Sequence, residues 1–167
     1  MASDDKYLFY GHSKKKGVYP QGWVFSNFSP HPVVAYGIKW PTSEHLFQAL
    51  KFKGSDDEYF NEIAKAKTPA MAKRLGRSRK HPLRDDWEEV KDEVMYFIIH
   101  AKATQNSEVL DELRATGKRE IVENSPSDAY WGCGKDGEGR NQLGKALMQV
   151  RDDLTSGRNS PVPNRGE

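Results

Sequence analysis

Apolar positions recur along this chain at two spacings. Short runs at 7–10, 33–39 and 119–123 have the length of strands and carry the aromatic and β-branched residues that suit a pleated surface, with Gly37 interrupting the second. Elsewhere the spacing is helical. Leu46, Phe47 and Leu50 share one side of a stretch that opens on Pro41, Thr42 and Ser43, whose hydroxyls suit a helix start. Tyr59, Phe60, Ile63 and Ala64 predict a second helix over 56–66. Thr68 as N-cap, Pro69 at the first position and Gly76 as the stop predict a compact third. The longest helix is expected over about 85–104, with Val90, Val94, Phe97, Ile98 and Ala101 as its inner stripe, and Ser107 caps a short one behind it. Leu143, Leu147, Val150 and Leu154 mark the last.

A length of 167 residues is that of one domain, expected over 7–154 with flexible ends at 1–6 and 155–167. Four Trp, seven Tyr and seven Phe supply anchors for a core despite 30% charged residues. With 26 basic against 24 acidic residues, bulk charge does not mark a nucleic-acid binder, so an anionic ligand must be met locally. Cys133 stands alone, which removes any intramolecular disulfide and fits a reducing compartment. The N-terminus lacks a signal-peptide run, and no segment approaches the roughly 20 apolar residues of a membrane span. An intracellular, cytoplasmic protein is expected, with the nucleus as an alternative.

Three stretches carry candidate chemistry. Glu44, Gln48 and Lys51 lie at i, i+4 and i+7 on the first helix, aligning a carboxylate, an amide and an amine beside a buried face. A solvated helix face is the ordinary explanation for that pattern; a site for a small polar molecule is the other. Ser26-Asn-Phe-Ser-Pro30 is a turn that can aim polar side chains, and 77–84 is the strongest positive cluster, able to meet phosphates. Asp128, Tyr130 and Trp131 precede a loop with Gly132, Gly134, Gly137 and Gly139, a combination that can hold a heterocycle, a ribose and an anion. The loop is neither a Walker loop nor a dinucleotide fingerprint. Five scattered histidines and one cysteine give no metal-ligand spacing, and Cys133 has no activating partner. No metal and no cofactor are expected.

Together these stretches resemble the NADAR (YbiA-like) family. The resemblance rests on Phe25-Ser-Asn-Phe-Ser-Pro30, Trp40-Pro-Thr-Ser-Glu-His-Leu-Phe-Gln-Ala-Leu-Lys-Phe52, Leu75-Gly-Arg77, Pro82-Leu-Arg-Asp-Asp-Trp87, Asp128-Ala-Tyr-Trp-Gly-Cys-Gly134 and Gly139-Arg-Asn-Gln-Leu-Gly144 with Leu147-Met148 and Arg151. It runs from about Trp23 to Leu154. It implies a mostly helical α+β fold with a few short strands.

The resemblance also implies an N-glycosidase. Some members cleave phosphorylated early riboflavin intermediates; others remove ADP-ribose from guanine bases of nucleic acid. Here the implied activity is removal of ADP-ribose from guanine in DNA or RNA. The alternatives are the riboflavin-intermediate glycosidase and a non-catalytic ADP-ribose binding module. The partner is then ADP-ribose on nucleic-acid guanine or a small nucleotide-like substrate, with no membrane or protein partner expected. By matching position, Glu44, Trp87 and Asp128 fall on residues implicated in the family site, and Lys51 falls on the lysine proposed to attack the ribose. Asn27, Arg77, Arg84, Trp131, Gly132 and Asn141 are implied ligand contacts, joined by Gln48 and Tyr130 from the local reading. Cleavage builds positive charge at the anomeric carbon, which a carboxylate stabilises and an unprotonated lysine can capture. With that chemistry in view, the Glu44–Gln48–Lys51 stripe reads as site rather than surface.

Overall fold

A computed structural model describes residues 5–11 and 20–157. The expected flexible ends fall mainly on 1–4 and 158–167, and the Lys14–Lys16 run on 12–19, all outside the described residues. Among the described residues, four strands and six α-helices occur in the order β1 (Lys6–Phe9), a 3-10 helix (Pro20–Phe25), β2 (Val33–Ala35), β3 (Ile38–Trp40), α1 (Ser43–Leu50), α2 (Asp57–Ile63), α3 (Pro69–Arg77), α4 (Trp87–Gln105), α5 (Ser107–Ala115), β4 (Glu120–Glu123) and α6 (Gln142–Thr155). The fold is α+β and mostly helical, as expected.

The strands form two separate pairs. β1 and β4 lie parallel, with Phe9 opposite Glu123, although most of the chain separates them in sequence. β2 and β3 form the hairpin into which Gly37 breaks the predicted single strand. Its turn needs left-handed backbone at Tyr36 (φ 56°) and Gly37 (φ 71°), which glycine adopts without cost.

Around these pairs the helices build one apolar core, and α1 is its axle. All eight of its residues are buried, and it packs on α2, α3 and α4. Thr42 caps it, its hydroxyl accepting from the His45 amide, while His45 spans from Thr42 to the Ala66 carbonyl. His45 is therefore a structural residue. Of the predicted α4 stripe, Ile98 is buried and Val90, Val94, Phe97 and Ala101 pack partly buried against the core, while the deepest side also takes in Met95, Ile99 and Ala103. The face is set by contact with both α1 and α6 rather than by a single apolar stripe. α3 does not stop at Gly76 but runs through it to Arg77. Gly76 serves close packing: a Cβ there would lie 2.8 Å from the Gln48 Cβ. Among the described residues, no helix is long and apolar enough to cross a membrane.

Candidate active site

A helix buried on every side must find partners for its polar residues, and α1 places Glu44 and Gln48 at the wall of a cleft. The cleft has a volume of about 270 Å³. Lys51, one residue beyond the helix, closes the same stripe. The turn before the hairpin forms a second wall. The Asn27 carbonyl accepts from the Glu44 amide (3.0 Å), and its side-chain Oδ1 accepts from the Ser43 hydroxyl (2.8 Å). The turn thus satisfies one of the amides that the start of a helix leaves free. From beneath, the buried Lys102 Nζ donates to the Ser26 carbonyl and the Ser29 hydroxyl, each at 2.8 Å. Burial pushes the Lys102 amine down to about 7. α3 contributes Lys73 and Arg77, four residues apart, and Lys73 lies 5.8 Å from the Phe28 ring.

The far wall comes from the end of β4 and the loop after it, which supply Glu123, Asp128 and Trp131. The Asp128 Oδ1 accepts from the amides of Tyr130 (2.9 Å) and Trp131 (2.8 Å), closing an Asx turn that fixes where the aromatics point. Trp131 meets Phe47 edge to face at 5.4 Å. A wider outer cavity of about 590 Å³ continues from the cleft, sharing Ser26, Phe28, Lys73, Arg77, Glu123 and Asp128 and adding Tyr10, Ser125 and Ser127.

Three acidic groups therefore face three basic ones in one cleft, and the environment moves several of them toward neutrality. Burial raises Glu44, opposed by the Gln48 hydrogen bond (2.7 Å) and by the charges of Lys73, Lys51 and Arg77. Burial lowers Lys51 to about 8; Glu44 opposes the shift, while Arg79, Arg77 and Lys73 reinforce it. Burial raises Glu123 to about 7, with the negative neighbours Asp128 and Glu44 adding to it. The Gln48 Oε1 is buried without a partner among the described residues, so the amide beside Glu44 retains a free acceptor. Carboxyls and an amine with displaced proton affinities, convergent on one cleft, are the equipment of acid–base and nucleophilic chemistry. Among the described residues, no cluster of His, Cys, Asp or Glu is arranged to hold a metal ion.

Of the residues expected from the sequence, Glu44, Gln48, Lys51, Asn27, Arg77, Asp128 and Trp131 come together in the cleft. The others stand behind or beside it. Trp87 is buried against Phe47 at 5.3 Å, with the Lys51 Nζ 5.9 Å from its ring, so it walls the amine's apolar side. Arg84 is paired with Asp86 at 2.6 Å, and its amide donates to the Lys51 carbonyl. The Tyr130 hydroxyl donates to Asp92, and its ring lies under Lys91 at 4.1 Å. Gly132 lets the Glu123 and Asp128 carbonyls come close, at 2.9 and 3.0 Å from where a Cβ would stand. Asn141, buried with φ 53°, accepts from the Glu123 amide and donates to the Ile121 carbonyl, locking α6 to β4. The loop glycines line neither cavity; Gly132 and Gly139 serve close backbone packing. Lys73 and Glu123 were not anticipated. Lys73 shares a face with Arg77 at i, i+4, and Glu123 shares a strand face with buried Ile121 at i, i+2, so both carried a weak signal.

Fold and site define a helix-rich α+β protein with a polar cleft that brings carboxyls together with a half-buried amine. The NADAR domain matches residues 8–155, and this chain belongs to the NADAR family. Its relatives place it beside the YbiA N-glycosidases of that family. It is 46% identical over 130 residues to N-glycosidase YbiA of Escherichia coli, covering 78% of this chain and 80% of that protein. It is 43% identical over 131 residues to N-glycosidase Npun_R5314 of Nostoc punctiforme, covering 78% and 84%. It is 44% identical over 130 residues to the riboflavin biosynthesis protein VVA0006 of Vibrio vulnificus, covering 77% of this chain but 35% of that protein. The solved structure of E. coli YbiA superposes with a TM-score of 0.80 at 41% identity, covering 93% of this chain and 88% of that one.

Proposed function

We propose that this protein is an N-glycosidase that removes ADP-ribose from guanine bases of nucleic acid through a covalent intermediate on Lys51. The observation that carries the proposal is the shared cleft of Lys51 and Glu44, in which burial depresses the amine. A neutral Lys51 Nζ attacks the anomeric carbon as the bond to the base breaks, the electron pair leaving with the base. Glu44 takes the proton released from the new nitrogen and returns it to the ring oxygen as the sugar opens. The resulting Schiff base is hydrolysed by water, which frees the amine and leaves the sugar as an aldehyde. Asp128 orients ribose hydroxyls, and Trp131 offers a flat face to a base. Lys73 and Arg77 stand where cleft and outer cavity join, a position suited to a phosphate chain.

A second reading keeps this chemistry and changes the base. The 44% identity to a protein named for riboflavin biosynthesis favours a phosphorylated riboflavin intermediate as substrate. The test is incubation of the protein with an oligonucleotide bearing ADP-ribosylated guanine and, separately, with a phosphorylated riboflavin intermediate, each followed by mass spectrometry. Restored guanine with released ADP-ribose is expected. Cleavage of the riboflavin intermediate alone selects the second reading. Tight binding of ADP-ribose without turnover of either overturns both in favour of a binding module.

A further inference from the structure

Glu123 is the cleft's one acidic group with no side-chain partner among the described residues. The Glu44 carboxylate accepts from Gln48 and that of Asp128 from two backbone amides, whereas the Glu123 carboxyl makes no hydrogen bond or ion pair with a described residue. Its backbone, in contrast, is held on three sides. Its amide donates to the Asn141 Oδ1 (2.9 Å), its carbonyl accepts from the Cys133 amide (2.9 Å), and its strand is paired to β1 through Phe9. A side chain left free on a fixed backbone at the junction of two cavities is built to meet a ligand. It enters from β4, a wall separate from the α1 wall that carries Lys51 and Glu44.

Resting on the N-glycosidase reading above, we propose that Glu123 is a second acid–base residue of the cleft, protonating the departing base from the wall across from Lys51. The carboxyl O–H proton passes to the base nitrogen as that nitrogen receives the electron pair of the broken bond, so the base leaves neutral. The resulting carboxylate then accepts a proton from the water that adds to the Schiff base, which restores the carboxyl for the next turnover. The net reaction is water plus N-glycoside giving free base and free sugar. This divides the work: Glu44 serves the sugar end beside Lys51, and Glu123 serves the leaving group.

The charged groups around Glu123 favour this role. Glu44 from α1 and Asp128 from the loop raise its proton affinity, burial raises it further, and Lys73 from α3 opposes them, leaving it near 7. Lys51 and Arg77 complete the charged lining of the cleft, and Tyr10, just beyond β1, lines the outer cavity. A protonated carboxyl is therefore abundant at neutral pH, where a free glutamic acid is ionised.

The test is the pH profile of kcat/KM on the ADP-ribosylated-guanine oligonucleotide for the wild type, Glu123→Gln and Glu123→Ala, the last with and without added formate. The wild type is expected to show a bell-shaped profile, rising while Lys51 loses its proton and falling on the alkaline side because Glu123 has ionised. Glu123→Gln should lose about 10²–10⁴-fold and lack that alkaline limb. Formate should restore part of the Glu123→Ala activity, a rescue that a structural role does not give and that stays readable if Glu123→Gln fails to fold. Wild-type turnover with an unchanged limb in Glu123→Gln, or no rescue of a folded Glu123→Ala, overturns the assignment and leaves the N-glycosidase reading standing. A wild type inactive on the oligonucleotide overturns the guanine reading and this step with it.

Discussion

Gly76 of α3 lies against Gln48 of α1: a Cβ on Gly76 would stand 1.9 Å from the Gln48 Oε1 and 2.8 Å from its Cβ. The first clash a rotating amide can relieve; the second it cannot, because the Cβ is fixed to the helix. This contact sets the spacing of the two helices that carry Glu44, Lys73 and Arg77 into the cleft.

Gly76→Ala should therefore act on the site through the packing. Forcing the helices apart is expected to cost about 1–3 kcal/mol of stability. It should also break the Gln48–Glu44 hydrogen bond and lower kcat more than it raises KM. Urea denaturation with steady-state kinetics checks both; a variant of wild-type stability and turnover contradicts the tight contact.

Glu44 holds its place at a cost to the fold. Its proton affinity is raised in the folded chain, chiefly by burial. Below the ordinary carboxylate range the group is protonated in both states. As pH rises above that range the unfolded chain ionises first, and folded stability falls. Glu44→Gln removes this dependence and keeps an acceptor for Gln48. The variant should be inactive, with a melting temperature at or above that of the wild type at pH 8 and no advantage at pH 4. A lower melting temperature at pH 8 contradicts this account.

Lys102 supports the turn that carries Asn27 and Phe28. Lys102→Met leaves the Ser26 carbonyl without its amine donor, a loss of about 1–3 kcal/mol. The wild-type amine is depressed to about 7 from an ordinary value near 10.5. As pH falls through that window the unfolded chain takes up the proton first, and the wild type loses stability relative to the variant. The deficit of Lys102→Met should thus be largest near pH 10 and shrink toward pH 7. A deficit that grows as pH falls contradicts the depressed amine.

Much of the site was legible because α1 expresses it in one short stretch. Spacing alone set Glu44, Gln48 and Lys51 on one stripe, and the apolar residues between them predicted burial. Burial of the whole helix was not legible; it follows from packing by α2, α3 and α4, which no local pattern records. Glu123 escaped for the same reason. Its strand is short, and its place at the cleft depends on parallel pairing with β1, more than a hundred residues away in sequence. Asp92 holds the Tyr130 hydroxyl and Asp86 the Arg84 guanidinium, pairings that no local pattern records. The close backbone approaches at Gly132 and Gly139 were likewise not legible, because they involve carbonyls brought near only by the fold.

The central claim is that Lys51 bonds to the sugar. The direct measurement is borohydride reduction during turnover of the ADP-ribosylated-guanine oligonucleotide, followed by peptide mapping by mass spectrometry. The account predicts a reduced ADP-ribose adduct on Lys51 alone. Lys51→Arg should give neither adduct nor turnover. Full turnover by Lys51→Arg, or turnover by the wild type with no adduct on Lys51, would contradict it.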